Sequence, residues 1–133
     1  IMNGALVYED YFELSKKNQI IDIKDLKSQI QPSSVDLSLS DECYEINFSF
    51  LSPKNKVRDK LNKIPSKKIN LKKSLILKRN KTYIVRLNEK LNLNKSIKGH
   101  CNPKSSTGRL NIFCRTVLDF SDEYEKIPSN TKE

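Results

Sequence analysis

One histidine, no tryptophan and only three glycines occur in 133 residues, and these shortages close off several chemistries. His100 is the single candidate base for a Ser/His/Asp relay, and no nucleophile elbow surrounds it, so hydrolysis of that kind is not indicated. The cysteines, Cys43, Cys101 and Cys114, are odd in number and without a close pair. That argues against a disulfide framework and for a reducing compartment. No C-x-x-C occurs, and His100-Cys101-Asn102 lacks the glutamate of an H-x-E signature, so zinc is not an expected cofactor. No apolar run approaches the roughly 20 residues of a membrane-spanning helix, and the N-terminus lacks the basic start and apolar core of a signal peptide. The expected location is the cytoplasm, with no membrane partner.

Hydrophobic residues are also in short supply, at 36% against 31% charged. A chain of this length holds one domain and buries roughly two-thirds of its unfolded surface. With so thin a supply, some of the remaining apolar surface is expected to belong to a larger assembly. The formal net charge is +9, which invites a phosphate or nucleic-acid reading. The excess, however, is nearly all lysine scattered among Asn, Ile and Ser, the pattern of a solvated surface. The arginines Arg58, Arg79, Arg86, Arg109 and Arg115 carry more information, because a planar guanidinium suits places that need a fixed fork of donors.

What is present reads as a mainly β chain. Leu6, Val7, Phe12 and Leu14 in "GALVYEDYFELSKKNQI" predict a short N-terminal helix. Past Pro32, residues 35–39 alternate Val, Leu and Leu with Asp and Ser, the period-2 pattern of a half-buried strand. A second strand is expected over residues 43–50. Val57, Leu61 and Ile64 lie between Pro53 and Pro65 at spacings of four and three, which predicts a small helical excursion. Further strands are expected near 69–71, 75–77, 83–87, 97–101 and 110–118. About seven short strands with frequent turn signals point to an all-β barrel or jelly-roll-like sandwich.

"NPKSSTGRL", residues 102–110, concentrates the polar chemistry. A phosphate site needs backbone N–H groups converging from a tight turn, hydroxyl donors and fixed cations. Ser105 and Ser106 offer hydroxyls, Gly108 permits close approach, and Lys104 and Arg109 bracket the turn. Were it to wind into one helical turn, Ser105 and Arg109 would share a side at i and i+4. "GHCNPKS" nearly spells a P-loop, but proline replaces the second glycine and no long helix is expected to follow. Taken alone, the stretch is equally readable as a polar turn.

A second stretch decides between these readings. "IQPSSVDLSL" (residues 30–39) followed downstream by "NPKSSTGRL" resembles the pairing in the deoxycytidine triphosphate deaminases of the dUTPase-like superfamily. With the opening "GALVYEDY", the phrase "DKL" in an early insertion and a "YIV" strand in the same order, the chain looks closest to the longer bacterial form. The resemblance runs from about Gly4 to the end of the chain and covers residues 1–133 as one dUTPase-like (β-clip) deaminase domain.

The resemblance implies hydrolytic conversion of dCTP to dUTP and ammonia without zinc, with Mg²⁺ entering on the triphosphate. It implies a nucleotide partner, no nucleic acid, and a homotrimer-like assembly or tandem domains that share the site. Lys104, Ser105 and Ser106 match the basic-Ser-Ser phosphate segment, Thr107 and Gly108 continue it, and Ser105 and Arg109 match the catalytic serine and arginine. Asp122, or less well Asp119, matches an acidic position near the sugar or base. The family's general base is a glutamate on a later strand. Glu123, Glu125 and Glu133 do not match that context, so the chain is expected to be an N-terminal fragment, inactive alone. Alternatives are a dUTP diphosphatase of the same superfamily, a basic nucleic-acid-binding β-barrel, and a non-catalytic domain of the same fold. The barrel would need aromatics interleaved with basic residues on one strand face, and Tyr8, Tyr11, Phe12, Phe48, Phe50, Tyr83 and Phe113 are not so arranged.

Overall fold

A computed structural model describes residues 3–72 and 76–133. In chain order the elements are α1 (Tyr8–Lys16), β1 (Ile20–Ile21), α2 (Leu26–Gln29), β2 (Ile30–Gln31), β3 (Ser34–Val35), β4 (Leu39–Ile46) and α3 (Val57–Leu61). They continue with β5 (Ser66–Asn70), β6 (Thr82–Leu87), β7 (Lys90–Leu91), β8 (Gly99–His100), α4 (Ser105–Arg109) and β9 (Lys126–Ile127). The described chain is mostly β, built around an antiparallel three-stranded sheet ordered β5-β4-β6. Three smaller antiparallel pairs, β1-β7, β2-β3 and β8-β9, surround it.

Central β4 is covered on both faces. Cys43 is fully buried on one side, and Ile46 packs on the other with Phe50 and Leu61, joined by Tyr44, Val57, Ile64 and Ile84. The helical excursion therefore exists because it lids this cluster: α3 brings Val57 and Leu61 down on the sheet, as their spacing of four predicts. Asp119 closes its N-terminal end, its Oδ1 accepting from the Val57 N–H at 2.7 Å.

A carboxylate on β4 ties the same helix down. Glu42 receives Arg58 at 2.8 Å, Arg86 at 3.5 Å and the Tyr44 hydroxyl at 2.8 Å. Burial works to raise its pKa, but the hydrogen bonds from Arg58 and Tyr44 and the charges of Arg58 and Arg86 together hold the carboxyl below its ordinary value. A lowered folded-state pKa contributes stability that is present above the unfolded pKa and lost as pH falls through the folded one. Glu42→Gln should thus lower the melting temperature at pH 7, and the difference from wild type should shrink on acidification below the carboxylate range. Both arginines are half-exposed, so added salt should also shrink it.

Several expected strands take a different form. The strand predicted over 35–39 is split: β3 ends at Val35 and β4 begins at Leu39. Between them, side chains and irregular backbone take the hydrogen bonds a ladder would have used. The Asp36 N–H goes to the Gln29 carbonyl and the Ser38 N–H to Glu89. The strand expected over 43–50 starts earlier and ends at Ile46. Only Gly99–His100 of the 97–101 stretch is strand, although Cys101 N–H continues the pairing onto the Glu125 carbonyl. Of the strand expected at 75–77, residue 75 lies outside the described residues and 77 is not strand.

The strand predicted over 110–118 is absent among the described residues. Leu110 is 71% exposed and Phe113 82%. A strand needs a partner for its N–H and C=O groups, and here no described segment runs beside residues 110–114. Only at Thr116, whose carbonyl accepts from Glu125 N–H, and at buried Leu118 does the segment rejoin the fold.

Candidate functional site

The turn at residues 102–111 winds into one turn of helix. In α4, Lys104 is the N-cap in extended conformation, and Ser105 and Arg109 stand at i and i+4 on one side, as the sequence allowed. Thr107 N–H closes the turn onto the Lys104 carbonyl at 3.0 Å, and Asn111 and Ile112 N–H groups fold back onto Gly108 and Thr107. Asn111 adopts positive φ to end it, a conformation asparagine tolerates. No heavy atom lies within 4 Å of where a Cβ on Gly108 would stand, and its φ is not positive. The fold itself therefore makes no demand for glycine there, and the open space is left to whatever approaches the turn.

The hydroxyls of Ser105 and Ser106 have no hydrogen-bond partner among the described residues, and both residues are exposed. Arg109 takes part in no ion pair among them either, whereas Arg58, Arg86 and Arg115 each face a carboxylate. Lys104 is different. Its ammonium lies 2.7 Å from the Asp36 carboxylate. Asp36 belongs to "QPSSVDLSL", 68 residues earlier, so the two stretches that read as a pair in sequence meet in space.

An open cleft of about 330 Å³ runs beside the turn. Pro103, Lys104, Ser105 and Gly108 of the turn line it together with Ile112, Phe113, Cys114, Arg115 and Glu125. Arg115 pairs with Glu125 at 3.0 Å and lies over the rings of Phe113 and Tyr124 at 5.0 and 6.0 Å. His100 approaches the same carboxylate at 3.8 Å. The cleft thus gathers an aromatic and a charge-paired patch together with Ser105. Ser106, Thr107 and Arg109 sit on the turn but do not line this cleft.

The acidic candidates are not gathered here. Asp122 is exposed beyond the Ser52–Ser121 bridge and forms no hydrogen bond or ion pair among the described residues. Asp119 is engaged at α3. Among the described residues no three His, Cys, Asp or Glu side chains cluster as metal ligands, and no helix is long and apolar enough to cross a membrane. Sequence reasoning did not single out Asp36 as a site residue, although it stood inside a quoted motif next to its serines; Arg115 was marked only as one of five informative arginines, and Glu125 only as a glutamate that does not match the general base.

The model of the family described as 2'-deoxycytidine 5'-triphosphate deaminase (DCD) N-terminal domain matches residues 2–132. Among solved structures, a crystal structure of 2'-deoxycytidine 5'-triphosphate deaminase from Agrobacterium tumefaciens matches with a TM-score of 0.90 and 36% identity. The match covers 97% of this chain and 39% of that one, so the chain spans well under half of that relative's length. Among curated proteins none matches the chain.

Proposed function

Because the chain belongs to the 2'-deoxycytidine 5'-triphosphate deaminase family, as its N-terminal domain, with the mostly β, dUTPase-like fold, we propose that it supplies the phosphate-binding half of a site that deaminates dCTP. The carrying observation is the meeting of Lys104 with Asp36, which places the serine turn and the upstream motif at one locus. Lys104 is a largely exposed cation fixed in place by a single carboxylate, and it is available to a phosphate group that meets the turn. In this reading the triphosphate lies along Lys104, the exposed N–H and hydroxyl groups of Ser105 and Ser106, and the uncovered face of Thr107 and Gly108.

The reaction adds water to C4 of the cytosine ring; the water loses one proton and N3 gains one, and the remaining C4 hydroxyl proton passes to the amino group as the C4–N bond breaks, releasing ammonia and leaving the C4 carbonyl of dUTP. Ser105 hydrogen-bonds the attacking water or the oxygen it becomes, where charge develops. Arg109 forks onto phosphate or onto the carboxylate that removes the proton. Asp122, which does not line the cleft beside the turn, would serve the sugar or base in a site completed by a second subunit or domain. The general-base glutamate and the rest of the nucleotide grip come from outside these residues, from another domain or a second subunit, in keeping with the 39% of the relative's length that the chain spans. Mg²⁺ rides on the triphosphate, since the described donor set builds no cage for it.

The test is product analysis. The protein that carries this chain, given dCTP and Mg²⁺, should release ammonia and dUTP, and residues 1–133 alone should release none. Pyrophosphate release from dUTP without ammonia from dCTP would replace the deaminase with a diphosphatase. Ammonia from residues 1–133 alone would overturn the division of the site.

A further inference from the structure

Glu89, in the connection between β6 and β7, is a carboxylate only 9% exposed, and no cation pairs with it among the described residues. Such a group is costly to bury unless hydrogen bonds compensate it. Three do, and all come from one region. Oε1 accepts from Gln29 Nε2 and Ser38 Oγ, each at 2.7 Å, and Oε2 accepts from the Ser38 N–H at 2.9 Å. The neighbouring Asn88 grips the same segment, its Nδ2 donating to Ser38 Oγ and to the Leu39 carbonyl.

Gln29 and Ser38 stand on either side of Asp36. Gln29 holds that residue twice: its Nε2 donates to the Asp36 carbonyl at 2.8 Å, and its own carbonyl accepts from the Asp36 N–H at 2.8 Å. Gln31 Nε2 reaches the Asp36 carboxylate itself at 3.4 Å. Where β3 and β4 are interrupted, two backbone bonds remain, Asp36 N–H to the Gln29 carbonyl and Asn88 N–H to the Ser38 carbonyl, and the side-chain hydrogen bonds converging on Glu89 and from Gln29 add to them. What they fix is the carboxylate that receives Lys104.

We infer that Glu89 is a positioning residue for the phosphate turn: by anchoring Gln29 and Ser38 it holds Asp36, and through Asp36 it sets where the Lys104 ammonium stands. The inference rests on the reading of Lys104 as a phosphate ligand for its functional consequence, but not for its geometry. A residue needed only to fill the space could be leucine; a residue that must present two acceptors to three converging donors cannot. Glu89→Gln keeps the shape and puts an amide NH₂ among those donors, so at least one of them loses its acceptor.

Two readouts separate positioning from plain support of the fold. In the ligand-free protein, the Lys104 ammonium signal in NMR should move in Glu89→Gln toward its position in Asp36→Asn. In dCTP turnover, the KM of Glu89→Gln should rise about tenfold with kcat within about twofold, and the rise should be missing when Glu89→Gln is added to Asp36→Asn, because both act through one contact. A lowered melting temperature with the Lys104 signal and KM unchanged would overturn the inference. If Glu89→Gln does not fold, Ser38→Ala, which removes one donor and leaves the backbone one, should shift the same signal to a smaller extent; an unmoved signal there overturns it as well. Failure of the wild-type protein to deaminate dCTP would remove the proposed function, while the Lys104 signal would still decide the role of Glu89.

Discussion

Ser105→Ala, made in the protein that carries this chain, should lower kcat for dCTP by about 10³, or roughly 4 kcal/mol of transition-state stabilisation, while weakening nucleotide binding by less than about tenfold. The structure makes this a clean substitution. Ser105 is the first residue of α4, not its cap, which is Lys104. Its hydroxyl meets no other described group, and alanine is the better helix former by roughly half a kcal/mol. Loss of the hydroxyl therefore costs the fold nothing, and unchanged melting temperature should accompany lost turnover. Calorimetric binding of dCTP beside steady-state kinetics reads both numbers. Equal losses in kcat and in binding would make Ser105 a phosphate ligand only.

How far the sequence spoke for itself depended on the length of each pattern. The N-terminal helix and the excursion at 57–61 were legible because Leu6, Val7, Phe12 and Leu14, and Val57 and Leu61, recur at helical spacings, and the strand at 82–87 because Tyr83, Ile84 and Val85 form a short aromatic and β-branched run. Strands of two residues, such as β1, β7, β8 and β9, are too short to show any period. Helix α2 was missed although it carries a local signal, Asp25 as an N-cap accepting from Lys27 and Ser28 N–H groups; its four residues are too few for an apolar face. Residues 110–118 have the apolar content of a strand, but content cannot say whether a neighbour runs alongside.

The candidate site divided along the same line. The turn was legible because its groups lie within nine consecutive residues, and the i, i+4 relation of Ser105 and Arg109 follows from one turn of helix. The Asp36 contact was not, because residues 68 apart are joined only by tertiary packing, and a buried Glu89 looks in sequence like any surface glutamate beside a lysine. Polar residues buried for positioning carry no periodic mark. They are found by asking where each buried donor and acceptor goes.

Arg109→Ala should reduce kcat/KM for dCTP by about 10³ and leave stability within about 0.5 kcal/mol, the usual range for a surface change. Unlike Arg58, Arg86 and Arg115, Arg109 has no described carboxylate beside it, so its removal breaks no pair that the fold depends on. A guanidinium kept free one helical turn from a free serine, on a chain of +9 net charge, raises the electrostatic energy of the empty protein rather than lowering it. Its counterpart is an anion that arrives. Arg109→Lys separates charge from shape: a point charge should recover attraction to the triphosphate, and so most of the binding, but not the two parallel hydrogen bonds of a fork, and so little of the turnover. Full recovery of kcat by lysine would reduce Arg109 to a contribution to the local positive field, and its effect should then fade as salt is raised; a deficit that persists at high salt identifies the fork.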